Sequence, residues 1–102
     1  MMKISVKALH FQADAKLITF IEQKLSRLAR FFDRPVEAEV FLKLQDTGGR
    51  VQEKITEVKL HIPGGWIMDK KTGRTFETAI TSSTDTLTRQ LIRFKEKQAE
   101  HQ

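Results

Sequence analysis

Basic residues recur at intervals of four near the end of the sequence. Arg89, Arg93 and Lys97 therefore share one side of any helix that contains them. Leu87 and Leu91 fall on the opposite side, so the cations are expected to face solvent. Such a row can bind phosphate groups, because each contact neutralises a phosphate and releases counterions. Cations near a helix C-terminus also complement the helix dipole, so this row alone is equally typical of a solvated surface.

Two further groups of cations favour a phosphate-binding surface. One lies in the second half of an earlier helical segment and consists of Lys24, Arg27 and Arg30. The other lies in a segment that we interpret as a polar loop and consists of Lys70, Lys71 and Arg74. If the two helices pack side by side, their cations form one basic surface, which the loop cations border.

The composition is that of one globular domain with a surplus of positive charge. The 102 residues are 39% apolar and 30% charged, and their net charge is +5. This charge favours acidic partners, with nucleic acid ahead of an anionic membrane surface. The sequence has no cysteine, no signal-peptide pattern and no apolar run of the ~20 residues that a membrane span needs. We therefore expect a single cytoplasmic domain, residues 1–102, without a membrane partner.

Residue types that carry out catalysis do not occur in a catalytic arrangement. The histidines fall in a turn, a strand and the tail, without metal-ligand spacing: His10, His61 and His101. No paired carboxylates, nucleophile with a base, or phosphate-binding loop is recognisable. Asp85 is four residues from Arg89, which predicts an ordinary ion pair on a helix. We expect neither enzymatic activity nor a metal, a cofactor or a small-molecule substrate.

Hydrophobic periodicity predicts a strand and then an amphipathic helix in the first third of the chain. Residues 3–9 alternate between apolar and polar types, as in a half-buried strand. Asp14 is a candidate helix cap, and Pro35 ends the helix. The apolar stripe of this helix consists of Leu17, Ile21, Leu25, Leu28 and Phe32.

Three strands and a second helix follow. Residues 36–45 and 55–62 alternate strictly, each run is followed by a glycine turn, and residues 66–68 form a short last strand. Thr75 is a candidate cap for a helix whose apolar stripe extends from Phe76 to Phe94, and residues 98–102 are expected to fray. The order β-α-β-β-β-α predicts an α+β fold in which both helices pack on one face of a four-stranded sheet.

The opposite face of that sheet should remain in contact with water. Glu37, Glu39 and Glu57 fall on it, so we expect this face to be more acidic than the helices. Phe41 shares it, but this is a thin pattern for base stacking, and we interpret Trp66 as a core or edge residue. Recognition of shape and phosphate is therefore favoured over recognition of bases.

Segments 75–80 (TFETAI), 85–95 (DTLTRQLIRFK) and 24–33 (KLSRLARFFD) resemble the helices of the ribosome hibernation promoting factors, a family that includes the ribosome-associated inhibitors and protein Y. The glycine turn at residues 64–65 matches as well, and the resemblance extends over about residues 2–97. Thr81 departs from the acidic residue usual in the family, and the segment before Thr75 is more basic. These departures concern local contacts rather than the fold.

The resemblance implies a domain similar to double-stranded RNA-binding domains that docks in the decoding channel of the small ribosomal subunit. There it contacts ribosomal RNA, excludes messenger and transfer RNA, and stops translation reversibly, as a bacterial stress or stationary-phase factor does. On this resemblance the phosphate contacts are Lys24, Arg27, Arg30, Arg89, Arg93, Lys95 and Lys97. The chain resembles the short form of the family, without the C-terminal domain that dimerises ribosomes, and we expect a monomer away from the ribosome.

Two other functions stay open from the residues alone. A general double-stranded RNA-binding module would have the same basic helices but would not need a ribosome. A protein-interaction domain would instead use the open face of the sheet, where Phe41, Ile55 and Ile67 offer apolar surface.

Overall fold

Four strands and three helical segments make up the described part of the chain. The computed structural model describes residues 2–46, 48–49 and 52–100. The strands are β1 (Met2–Ala8), β2 (Val36–Asp46), β3 (Gln52–Ile62) and β4 (Gly65–Gly73). The helices are α1 (Ala15–Ser26), a 3-10 helix directly after it (Arg27–Phe31), and α2 (Phe76–Glu100). This order confirms the α+β fold that the hydrophobic pattern predicts.

All four strands belong to one sheet, in the order β1-β2-β3-β4. β1 pairs with β2 in parallel, and the two following pairs are antiparallel. A parallel pair needs a crossover connection, which α1 and the 3-10 helix provide. The tight turn between β3 and β4 contains Gly64 at a φ of +92°, a left-handed conformation that glycine adopts without strain. This turn places β4 at the outer side of the sheet, next to β3.

The hydrophobic core lies between the sheet and both helices. Alternation along β2 and β3 brings residues of one face together, so that Ala38 pairs with Leu60 and Val40 pairs with Val58. These side chains are buried against a set of fully buried helix residues: Ile21, Leu25, Leu87 and Leu91. Because one cluster contains residues of both helices, α1 and α2 pack on the same face of the sheet, as predicted.

Side-chain caps start both helices where the sequence predicts them. Asp14 Oδ1 accepts the backbone N–H of Leu17 at 2.8 Å, and Thr75 Oγ1 accepts the backbone N–H of Thr78 at 3.0 Å. Each bond satisfies one of the N–H groups that have no partner within the first helical turn. Both predicted caps are therefore confirmed.

The first helical segment tightens before it ends. The sequence predicts one helix up to Pro35, whereas the structure changes from α to 3-10 geometry at Arg27 and ends the helix at Phe31. A 3-10 helix has three residues per turn, so side chains three positions apart are aligned. Arg27 and Arg30 are therefore brought to one side, while Leu28 is buried.

The last strand is longer than the sequence predicts. The expectation of a polar loop from Lys70 to Arg74 is wrong, because β4 continues to Gly73. Lys70 pairs with Glu57 and Lys71 pairs with Thr56, so the backbone ladder continues past the point where apolar alternation stops. Lysine is common on outer strands, where its charge discourages pairing with another chain.

The C-terminal end of the described chain is helical. α2 continues to Glu100, and residues 101–102 of the expected frayed tail lie outside the described residues. Fraying of residues 98–102 stays a prediction. Of the helices described, none is long and apolar enough to cross a bilayer.

Replacing Asp14 with alanine should lower the free energy of unfolding by about 1 kcal/mol, because the N–H of Leu17 loses its acceptor. Asp14→Asn is the matched control, since its side-chain oxygen can keep the cap, and its stability should remain close to that of the wild type. Urea unfolding followed by circular dichroism measures both changes. Equal destabilisation by the two variants would show that the charge of Asp14, rather than its capping bond, stabilises the helix start.

Candidate nucleic-acid interface

The second half of α2 presents a row of exposed cations. Arg89, Arg93 and Lys97 are exposed, whereas Leu87 and Leu91 are fully buried. Burial of the leucines fixes the rotation of the helix about its axis, so the cations are held away from the core. The row thus has the exposed position that the sequence predicts.

Arg89 makes a local contact that leaves its charge unneutralised. Its Nη2 donates to Thr86 Oγ1 at 3.3 Å. The ion pair predicted between Asp85 and Arg89 is wrong, because the described residues form ion pairs elsewhere and not between these two. A hydroxyl partner does not compensate the guanidinium charge, so Arg89 remains suited to a phosphate oxygen.

Cations of the first helical segment, which consists of α1 and the 3-10 helix, contact neighbouring aromatic rings. Lys24 Nζ is 5.6 Å from the centre of the Phe20 ring, and Arg30 Cζ is 5.0 Å from that of Phe31. Arg27 and Arg30 are exposed, and Lys24 is half-buried. Contacts with an aromatic face keep the charged group at the surface while its alkyl stem covers apolar area. These three cations therefore occupy a defined surface of α1 and the 3-10 helix.

Lys95 connects α2 to the first helical segment. Its Nζ is 5.6 Å from the centre of the Phe32 ring, directly after the 3-10 helix. Phe32 and Lys95 also line a cavity of about 240 Å³, together with Arg34 and Pro63. The second half of α2 therefore lies beside the end of the first helical segment, which brings Lys95 and Arg34 together beside Asp33.

Arg93 and Lys97 lie on a different side of α2 from Lys95. Both line a groove of about 450 Å³ between α2 and β4, which we call the β4 groove. Its lining also includes Trp66, Ile67, Met68, Gln90 and Phe94. The cations of α2 are thus divided between the two flanks of the helix. Their spacing by four in the sequence does not reveal this division.

The three cations predicted to border the helices have different positions. Lys70 shares its position across the sheet with Glu57 and Phe41, so it lies on the face away from the helices. Lys71 is half-buried on the helical side and binds Asp69 Oδ1 at 2.9 Å. Arg74 is exposed between β4 and α2. The prediction that Lys70 borders the helices is wrong, because alternation along β4 places it on the face of the sheet away from them.

The open face of the sheet, the side away from the helices, is nearly balanced in charge. Its glutamates are the three predicted ones and Glu53, which pairs with Gln45 on β2: Glu37, Glu39, Glu53 and Glu57. Lysines outnumber them on the same face: Lys3, Lys7, Lys43, Lys59 and Lys70. Lys43 Nζ binds Glu57 Oε1 at 2.8 Å, and His61 Nε2 lies 2.8 Å from Glu39 Oε2. The outer strands add lysines that β2 and β3 alone do not show, so this face carries little net charge. That it is more acidic than the helices stays a prediction.

Of two apolar residues of β4, Ile67 differs from its sequence interpretation and Trp66 agrees with it. Ile67 pairs with Leu60 and packs against the core, so it does not contribute to the open face. Trp66 is on an outer strand, as interpreted, but 55% of it is exposed, and Met68 is 48% exposed. Side chains alternate between the two faces of a strand, so Trp66 and Met68 lie on the same face as Lys70. Continuing the predicted strand as far as Lys70 would have placed these three residues together.

No cluster of three or more potential metal ligands occurs within residues 2–46, 48–49 and 52–100.

Comparison with known proteins gives consistent matches over nearly the whole chain. Residues 4–99 match the family described as Sigma 54 modulation protein / S30EA ribosomal protein. The ribosome hibernation promoting factor of Azotobacter vinelandii is 32% identical over 101 residues, which are 99% of this chain and 90% of that protein. The ribosome hibernation promotion factor of Deinococcus radiodurans is 37% identical over 76 residues, which are 74% of this chain but only 40% of that protein.

Solved structures share the fold. The N-terminal domain of protein Y from Thermus thermophilus superposes with a TM-score of 0.80 at 24% identity, covering 92% of this chain and 99% of that domain. A ribosomal subunit interface protein from Coxiella burnetii superposes with a TM-score of 0.76 at 17% identity, covering 94% of this chain and 99% of that one. At these identities the superpositions establish the architecture alone.

The hydrogen bond between Glu39 and His61 should make the free energy of unfolding depend on pH in the acidic range. Chiefly because of this hydrogen bond, and also because of the nearby lysine charges, the pKa of Glu39 lies below its ordinary value of 4.5. A group with a lowered pKa in the folded state stabilises the protein above its ordinary pKa, and this contribution is lost as the pH falls through the folded value. Between neutral pH and about pH 3, the wild type should therefore lose more stability than Glu39→Gln.

Glu37→Gln is the matched control for this comparison. Glu37 lies on the same face and is exposed, and no ion pair of Glu37 occurs among the described residues. Urea unfolding across the pH range should give this variant the acid dependence of the wild type. An unchanged acid dependence in Glu39→Gln would show that the Glu39–His61 bond does not form in solution.

Proposed function

Because the chain belongs to the Sigma 54 modulation protein / S30EA ribosomal protein family, we propose that it is a ribosome hibernation factor that binds the small ribosomal subunit. The relatives named as ribosome hibernation promoting factors support the role. In this proposal the protein occupies the decoding channel, excludes messenger and transfer RNA, and inhibits translation reversibly under stress or in stationary phase.

One observation carries the assignment of the binding surface. Exposed arginines and lysines lie on both helical segments, and the contact between Lys95 and Phe32 joins those segments at one end. The proposed ribosomal RNA contacts of these segments are Lys24, Arg27, Arg30, Arg89, Arg93, Lys95 and Lys97. Arg74 is exposed between β4 and the start of α2, and we include it as a further proposed contact.

The chemistry of this surface suits phosphate rather than a reacting substrate. Guanidinium and ammonium groups donate to phosphate oxygens, and the released counterions make the affinity fall steeply with salt. A protein that occupies a channel lined by RNA needs no catalytic group to block it, since the bound domain itself excludes other ligands. We therefore propose a binding protein without enzymatic activity, cytoplasmic and monomeric when not bound to a ribosome.

A general double-stranded RNA-binding module is the second candidate. It shares the basic helices, and it predicts similar affinity for any RNA duplex of sufficient length. A strong preference for intact small subunits over free duplexes at the same salt concentration would exclude it. Comparable affinity for both would replace the hibernation proposal.

Reversing one charge on each helical segment tests the proposed surface. The variant Arg27→Glu/Arg89→Glu should bind small subunits roughly tenfold or more weakly, because two phosphate contacts become repulsive. The slope of log affinity against log salt should become shallower by about two. Co-sedimentation with purified small subunits over a range of salt concentrations measures both.

Lys3→Glu/Lys7→Glu is the matched control, because it changes the net charge equally on the exposed open face. Its affinity and salt slope should remain close to those of the wild type. If the control loses as much affinity as the helix variant, only the overall charge matters and the proposed surface is wrong. If the wild type itself does not bind small subunits at low salt, the proposed function is wrong.

A further inference from the structure

The β4 groove combines an exposed aromatic ring with cations, and the phosphate contacts proposed for the helices leave this combination unused. Trp66 and Met68 form its β4 side, and Arg93 and Lys97 form part of its α2 side. More than half of Trp66 is exposed, although tryptophan has a large apolar surface that is normally covered. The groove therefore offers an apolar platform with charged groups at its margin.

The Trp66 ring is already in contact with one cation. Lys59 Nζ lies 4.5 Å from the centre of the ring, from the neighbouring strand β3. This contact restrains the indole at the surface. A restrained, flat and exposed ring is the arrangement on which proteins stack unpaired bases of single-stranded nucleic acid.

The charges around the ring favour nucleic acid as the occupant. Lys59 contacts the indole, and Arg93 and Lys97 line the same groove as Trp66. Within the described residues none of these three cations forms an ion pair. A nucleotide brings a flat base to the ring and a phosphate to the cations at the same time. An acidic peptide would use the cations but would have no need of an exposed stacking surface.

We propose that the β4 groove binds one unpaired nucleotide of RNA. The base stacks on Trp66, and the adjoining phosphates bind Arg93 and Lys97. This proposal rests on the proposed function, since it adds the recognition of an unpaired base in ribosomal RNA to the phosphate contacts of the helices. It departs from the sequence interpretation, which favours recognition of shape and phosphate over recognition of bases.

Intrinsic fluorescence reports the stacking directly, because Trp66 is the only tryptophan of the chain and tyrosine is absent. Titration with a short single-stranded RNA should quench the fluorescence of Trp66 to saturation. The same RNA with an abasic site at every position, and a fully paired hairpin of equal length, should quench it much less. Quenching by the abasic RNA equal to that by the intact RNA would overturn the proposal.

Three variants separate stacking from charge. Trp66→Ala should weaken binding of a labelled single-stranded RNA roughly tenfold, as measured by fluorescence anisotropy. Trp66→Phe retains a flat ring and should recover most of that loss. Ile92→Ala removes another exposed apolar side chain, 43% exposed on α2, and should bind like the wild type. Equal affinities of the wild type and Trp66→Ala would contradict the proposal.

Two further measurements complete the test. An acidic peptide that quenches Trp66 at lower concentration than the RNA would replace the nucleotide with a protein partner and overturn the proposal. Co-sedimentation with small subunits is measured in parallel for the wild type. If the wild type binds subunits but single-stranded RNA does not quench Trp66, the groove proposal fails while the proposed function stands. If neither occurs, both fail.

Discussion

The helices of this protein are fixed in rotation by the burial of their apolar stripes on one face of the sheet. Leu25 from α1 and Leu87 and Leu91 from α2 are fully buried in the same cluster as Val40 and Val58 of the central strands. Removal of this apolar area from water is the main favourable contribution to folding in so small a domain. Because each helix has only one such stripe, its remaining surface is exposed to solvent, and the cations lie on that surface.

This constraint also separates the charged side chains into distinct neighbourhoods. Lys95 lies beside the first helical segment and Arg93 beside β4, although only two positions separate them. Successive residues of an α-helix are rotated by about 100° about its axis. Cations that are close in sequence therefore lie on two flanks of α2 with different neighbours. A domain built in this way can contact phosphates over a broad helical surface while one flank presents an aromatic ring as well. The aromatic contacts of Lys24 and Arg30 hold further cations at that surface.

Local periodicity was sufficient to predict the order of elements, both helix caps and the burial of the apolar stripes. It was insufficient where position depends on distant partners. β4 extends through Lys70 because β3 offers it a ladder partner, which apolar alternation does not signal. Lys71 is directed to the helical side and pairs with Asp69, and Trp66 becomes a groove residue only because α2 lies alongside β4. The 3-10 geometry at Arg27 likewise has no clear pattern in the sequence.

The central claim is that ribosomal RNA contacts the helical side of the domain, with the β4 groove at its margin, rather than the β1 edge of the open face. Directed hydroxyl-radical probing tests it most directly, because the chain has no cysteine and single cysteines can be introduced at exposed positions. An iron chelate attached at Gln23 of α1 should cleave small-subunit RNA strongly, and one attached at Ser5 on the open face should cleave it weakly. Stronger cleavage from Ser5 than from Gln23 would contradict the claim.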